Sequence, residues 1–285
     1  MAGKKSTKNT LKESISLNVS AQQFYGYADY YNRVPLFPVL QLTNAGAEAA
    51  EGLEVTIEGS DGFLLPFAKQ LEEVPFESTV EIAAQNLVSP LYLTELSEPK
   101  QVSVRIKVSH GKDVVAESGL QLTVLPFDYW CGRSGNAELL ACFVRPKVAD
   151  CLRVLEEAGK QLVKWNVPCE WRGYQEGDKN KIRQICAAVF AAIKRQSVER
   201  SAAEQDYNAP VPVGDVTAIL KNKVCTVFEM ALFAASCLEC AGLHPVLAVG
   251  ERGVSCGAWL YDNCFSEGAG DDVVLTVDCE GEKLK

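Results

Sequence analysis

The sequence predicts an α+β chain whose first half is an antiparallel β domain and whose second half is mainly helical, closed by a small antiparallel sheet. Three observations carry this. Residues 14–125 alternate apolar and polar side chains, which is the period of a half-buried strand. After residue 125 the apolar spacing changes to that of amphipathic helices. All eleven cysteines lie at or beyond Cys131, so the two halves also differ in composition.

Residues 1–12 are polar and lysine-rich and predict a disordered tail. From residue 13 to 126 the segments I-S-L-N-V, L-F-P-V-L-Q-L-T-N, L-E-V-T-I-E, T-V-E-I-A, V-S-V-R-I-K-V and L-Q-L-T-V read as strands. Turn formers separate them: N-A-G at 44–46, G-S-D-G at 59–62 and H-G-K-D at 110–113. Short strands at this spacing, with no long helix between them, predict an immunoglobulin-like β-sandwich, without the cysteine pair of antibody domains.

The second domain, residues 127–285, begins in the junction L-P-F-D-Y-W-C-G (125–132). Leu139, Leu140, Cys142 and Phe143, then Leu152, Leu155 and Leu162, have helical spacing, and Arg145-Pro146 divides them into two helices. A helix over 179–195 carries an apolar face of Ile182, Ile185, Cys186, Val189, Phe190 and Ile193. Residues 204–215 read as an irregular loop crossing the surface. Residues 219–260 then predict a loop, a buried helix over 226–241, a turn and two strands, H-P-V-L-A-V and S-C-G-A-W-L-Y. Gly242 is the expected residue after the helix end. V-V-L-T-V-D (273–278) is a possible third strand.

The formal net charge of −9 argues against an autonomous binder of nucleic acid or of an anionic membrane. An odd number of cysteines, with a single C-x-x-C spacing (Cys237 and Cys240) that falls on one helix, favours reduced thiols and a cytoplasmic protein over a secreted disulfide scaffold. The amino terminus has no apolar signal-peptide core, and no run approaches the roughly 18 apolar residues that span a membrane. No cofactor is indicated.

The landmarks N-R-V-P-L-F-P-V-L-Q-L-T-N (32–44), S-P-L-Y-L-T-E-L (89–96), F-D-Y-W-C-G (127–132), E-L-L-A-C-F-V-R-P (138–146), W-R-G-Y-Q (171–175), L-E-C-A-G-L-H-P-V-L (238–247) and G-A-W-L (257–260) stand in order along the chain. With them the chain resembles the amino-terminal region of large bacterial superfamily I helicases that carry a restriction-endonuclease-like module near their carboxyl end. The resemblance spans residues 14–282. It implies a β-sandwich followed by a transglutaminase-like domain with a papain-like core. Relatives continue into a helicase motor where this sequence stops at Leu284-Lys285, which implies a stand-alone adaptor or a piece of a longer protein.

In that family the functional cysteine stands in a motif resembling G-T-C-L-D and the histidine in one resembling G-H-A-F-x-G-x-W-L. Laid on this sequence without gaps, the cysteine position falls on Val227 and the histidine position on Gly253, with Asp278, or else Asp271 or Asp272, as the acidic partner. Valine offers no nucleophile and glycine no base. The resemblance therefore implies a catalytically degenerate, non-enzymatic interaction or scaffolding module. It also implies a protein partner, in cis or in trans, of the helicase or nuclease class, engaged in DNA processing or antiviral defence, with no direct nucleic-acid binding by this chain.

Two alternatives stay open at this point. An active cysteine hydrolase or acyl transferase would use Cys225 at the helix entry, His244 and Asp278. A peptide or small-molecule sensor would keep the cleft without the chemistry, with Tyr174, Gln175, Trp130 and Trp259 as binding candidates. Among Cys237, Cys240, Cys256 and Cys264 only the first two are closely paired, on one apolar helix, and no second close pair of Cys or His accompanies them; all four read as apolar thiols, so no metal is expected. The acidic run over 267–272 reads as a solvated loop.

Overall fold

The computed structural model describes residues 11–250 and 253–262 and divides the chain into two compact units, Met1–Cys131 and Gly132–Lys285. Strands dominate the first unit and helices the second, so the chain is mixed α+β.

The first unit contains strands β1 (Ile15–Ser20), β2 (Phe24–Tyr25), β3 (Val39–Asn44), β4 (Ala50–Gly59), β5 (Phe67–Val74), β6 (Ser78–Glu81), β7 (Lys100–His110) and β8 (Asp113–Val124), with short helices α1 (Tyr27–Tyr31) and α2 (Pro90–Glu95). One sheet has the order β1-β3-β6 and is antiparallel throughout. The other has the order β2-β8-β7-β4-β5, antiparallel except for the β2–β8 pair. In β7 the side chains Val102, Val104, Ile106 and Val108 are buried while Ser103 and Arg105 face water, as the alternation predicts. They share one apolar core with Leu53, Val55 and Ile57 of β4 and with Leu40 and Leu42 of β3, so side chains from both sheets fill it.

Two parts of this unit depart from the sequence reading. Strand β5 was not expected, because it is an edge strand that buries only Leu71 and Val74 and therefore lacks a clear period. Strand β8 starts at Asp113, directly after a tight turn in which Gly111 has φ 62°.

In the second unit a 3₁₀ helix covers Ala137–Phe143, followed by α3 (Ala149–Lys164), α4 (Lys179–Arg195), α5 (Val216–Asn222) and α6 (Val227–Cys240). Two-residue strands lie at β9 (Tyr129–Trp130), at the end of the first unit, and at β10 (Glu199–Arg200), β11 (Val211–Pro212) and β12 (Val224–Cys225). Strands β10 and β12 run parallel and put Arg200 beside Cys225. An antiparallel pair, β13 (Pro245–Val249) and β14 (Val254–Ala258), completes the unit among the described residues. Helices α3, α4 and α6 bury one core, whose α6 members include Phe233, Ala234, Cys237 and Leu238. Helix α6 is apolar nearly all round and buried from Ala231 to Leu238, as suits a central helix. Its one buried hydroxyl, Ser236, donates to the Leu232 carbonyl at 2.8 Å and accepts from the Arg145 amide at 2.9 Å.

The helix expected over 179–195 is α4 itself, and Gly242 follows α6 with φ 76°. Other expectations are corrected. Residues 219–222 form the end of α5 rather than a loop. Leu152 is 54% exposed, because the buried stripe of α3 runs through Cys151, Val154, Leu155, Ala158 and Leu162, and Cys142 is exposed in the 3₁₀ helix, which buries Leu139, Leu140 and Phe143 instead. A thiol and an alanine hold two places on that stripe, which weakens the leucine spacing as a guide. Residues 204–215 are not a simple surface loop: Tyr207 and Val211 are buried, with the Tyr207 ring 5.7 Å from that of Phe228. Strand β14 ends at Ala258, short of Tyr261. The segment 273–278 lies outside the described residues. Among the described residues no helix is long and apolar enough to cross a membrane.

Candidate functional site

A cavity of about 260 Å³ opens at the amino end of α6. Val227, Met230, Ala231 and Ala234, one face of the first two turns of α6, form its floor. Val254 and Cys256 of β14 wall one side, while Phe190 of α4 and Val198, Arg200, Cys225 and Thr226 contribute the rest. Two local features set the mouth. Thr226 caps α6 through a reciprocal box, its Oγ1 accepting from the Glu229 amide at 3.2 Å while the Glu229 carboxylate accepts from the Thr226 amide at 2.8 Å. The parallel β10–β12 pair then holds Cys225 and Arg200 side by side in register.

The wall is weakly polar. Burial, with the nearby Glu229 carboxylate adding to it, pushes the Cys225 thiol up. Burial pushes the Cys256 thiol up to about 12. Both sulfurs therefore carry their protons at neutral pH. Among the described residues Arg200 is the one charged side chain in the lining, and neither histidine of the sequence belongs to it.

Val227 lies in the cavity wall, whereas Gly253 is not itself a wall residue: it directly precedes one, Val254, and its carbonyl accepts from the Gly250 amide at 2.8 Å. A Cβ built on Gly253 meets nothing within 4 Å, so the absence of a side chain there is a matter of sequence rather than of crowding. Cys225 precedes α6 and His244 follows it. Fourteen helical residues separate them, about 21 Å at 1.5 Å per residue, so the structure does not bring this thiol and imidazole together. Asp271, Asp272, Asp278 and Cys264 lie outside the described residues.

Tyr174 belongs to the opposite end of α6. Its hydroxyl donates to the Trp259 carbonyl at 2.8 Å and accepts from the His244 amide at 3.0 Å. Its ring packs 5.0 Å from the His244 ring, and the Trp259 amide donates to the His244 carbonyl at 3.0 Å. This clasp ties the turn after α6 to the end of β14, and Tyr174 and Trp259 serve it rather than the cavity. Gln175 is exposed and does not line the cavity, contrary to the expectation that it faces the cleft. Trp130 is fully buried, which removes its faces from any ligand, whereas Phe127, three residues earlier, is 53% exposed.

Cys237 and Cys151 are buried in one core, where their interaction lowers the Cys151 thiol and raises that of Cys237, and the Cys151 thiol donates to the Arg145 carbonyl at 3.7 Å. Among the described residues no group of three or more His, Cys, Asp or Glu side chains is arranged to hold a metal ion. The sequence reading missed Arg200, Val198, Met230 and Val254 as wall residues. Phe190 carried the one usable signal, since it sits at the margin of the α4 stripe and remains 41% exposed. Compared with protein families and with curated proteins, the chain matches none.

Proposed function

We propose that this protein is a non-catalytic interaction module: an immunoglobulin-like β-sandwich followed by a transglutaminase-like domain that has lost its nucleophile and base. Its partner, on the resemblance to bacterial superfamily I helicases, is a helicase or nuclease acting in DNA processing or in defence against foreign DNA.

One observation carries the reading. The cavity lies at the amino end of a buried helix, where the resemblance expects thiol and imidazole, and its wall includes Val227 and Val254, the residue after Gly253, with no imidazole among its described residues. The thiols that do line it are held protonated, and without a base neither becomes a nucleophile. Two sheets closing on one apolar core support the sandwich half of the reading. The hydrolase alternative through Cys225, His244 and Asp278 is disfavoured by the length of α6 between the first two.

Affinity purification from the native host followed by mass spectrometry tests the partner. Reproducible recovery of a helicase, nuclease or other defence component is the expected result, and reproducible recovery of no partner counts against the module. Loss of an amidase or peptidase activity on Cys225→Ser would overturn the non-catalytic half directly.

A further inference from the structure

Among the described residues the cavity combines an uncharged interior with one cation, Arg200, at its edge. Phe190, Val198, Met230, Ala234 and Val254 supply hydrocarbon and thioether surface, and the Cys225 and Cys256 thiols add neutral sulfur. Arg200 is exposed, lies beside Cys225 in register, and makes no ion pair with a described residue. The amino end of α6 does not compete with it for an anion. Its capping position is already closed by Thr226 and by the Glu229 carboxylate, which is itself engaged by the Thr226 amide and hydroxyl at 2.8 and 3.0 Å. An apolar body with one carboxylate meets both parts of such a wall, since a guanidinium binds carboxylate through charge-assisted, bidentate hydrogen bonds.

Size narrows the class. At roughly 30 Å³ per water-sized unit, about 260 Å³ accepts around eight or nine methylene-sized groups, just under the range of drug-sized pockets. We propose that the cavity binds a free medium-chain aliphatic carboxylate, with its chain along the first two turns of α6 and its carboxylate on Arg200. The proposal rests on reading the cleft as non-catalytic and names what it holds.

Calorimetric titration of the full chain with octanoate, octan-1-ol and octylammonium tests it. Octanoate is expected to bind once per chain with a dissociation constant below about 1 mM. Octan-1-ol should bind about tenfold more weakly, and octylammonium should not bind. Arg200→Gln should weaken octanoate about tenfold and leave octan-1-ol unchanged. Ala234→Met fills the floor and should weaken both ligands. Because that site is buried in α6, Val227→Phe at the half-buried end of the floor provides a second blocking variant less exposed to misfolding.

Failure of octanoate to saturate, equal affinity for octanoate and octan-1-ol, or unchanged octanoate binding in both blocked variants overturns the assignment. Turnover is read separately with an octanoyl ester. Hydrolysis that depends on Cys225 would sink the non-catalytic reading, whereas absent octanoate binding sinks the ligand assignment whatever the ester assay returns.

Discussion

Replacing Thr226 with alanine tests how firmly the mouth of the cavity is held. The Thr226 hydroxyl accepts from the Glu229 amide at 3.2 Å and donates to the Glu229 carboxylate at 3.0 Å, and the Thr226 amide donates to the same carboxylate at 2.8 Å. Alanine deletes two of these three contacts and leaves the third-position amide of α6 without its acceptor. Exchanging Thr for Ala at an N-cap costs about 1–2 kcal/mol. The upper part of that range applies because Thr226 is half-buried in the cavity wall, where water substitutes poorly for the lost oxygen. At roughly 2–4 °C per kcal/mol for a domain of this size, the melting temperature of the second unit should fall by about 2–8 °C. Urea unfolding followed by tryptophan fluorescence is a suitable assay, since Trp165, Trp171 and Trp259 all lie in that unit. Thr226→Ser, which keeps the oxygen, should retain most of the stability. A loss below about 0.3 kcal/mol for the alanine variant, or a serine variant as unstable as alanine, would refute the role assigned to this cap.

Three further outcomes follow from the structure. Burial pushes the Cys186 thiol up to about 11 and the Cys256 thiol up to about 12, so the unfolded chain, with thiols near pH 8.5, ionises first as pH rises. Stability is therefore unaffected below about pH 8 and falls progressively from about 8.5 towards those folded values. Urea midpoints measured between pH 8 and 10 should decline more steeply in the native protein than in a Cys186→Ser, Cys256→Ser variant; parallel slopes would disprove the cause. Limiting iodoacetamide at neutral pH should label exposed Cys169 at least about tenfold faster than Cys225, which is 3% exposed, and Glu229→Gln should speed Cys225 by removing the charge that disfavours its thiolate. Preferential labelling of Cys225 in the native protein would reverse that conclusion. Asn44, 1% exposed, donates to the carbonyls of Glu48, Val74 and Pro75 at 2.9, 3.1 and 3.3 Å and accepts from the Gly46 amide at 2.9 Å. Asn44→Ala strands these groups and should cost about 1–3 kcal/mol in chemical denaturation; a change within experimental error would show that water replaces the amide.

Local pattern was enough wherever a segment's neighbours are uniform. β7 has one dry face and one wet face, so its alternation identifies both the strand and its buried side chains. α4 begins at Asp178, whose carboxylate accepts from the Asn180 amide at 2.8 Å, and its apolar stripe marks the helix to the last residue. Where surroundings are mixed the pattern failed. β5 pairs on one edge only, and residues 219–222 belong to a helix too short to show a period.

By itself, the sequence determined the α+β order of the chain, the start and end of α6, and the absence of a thiol at position 227 and of an imidazole at position 253. These are properties of residue type and of spacing within one segment. Only the tertiary structure decided that Val227 and the neighbour of Gly253 border one cavity and that Arg200 stands at its edge. It also decided that Tyr174 clasps the far end of α6 instead of facing a ligand. Each of these depends on contacts between residues tens of positions apart, brought together by packing around α6, and no local period encodes which distant side chain will arrive at a helix end.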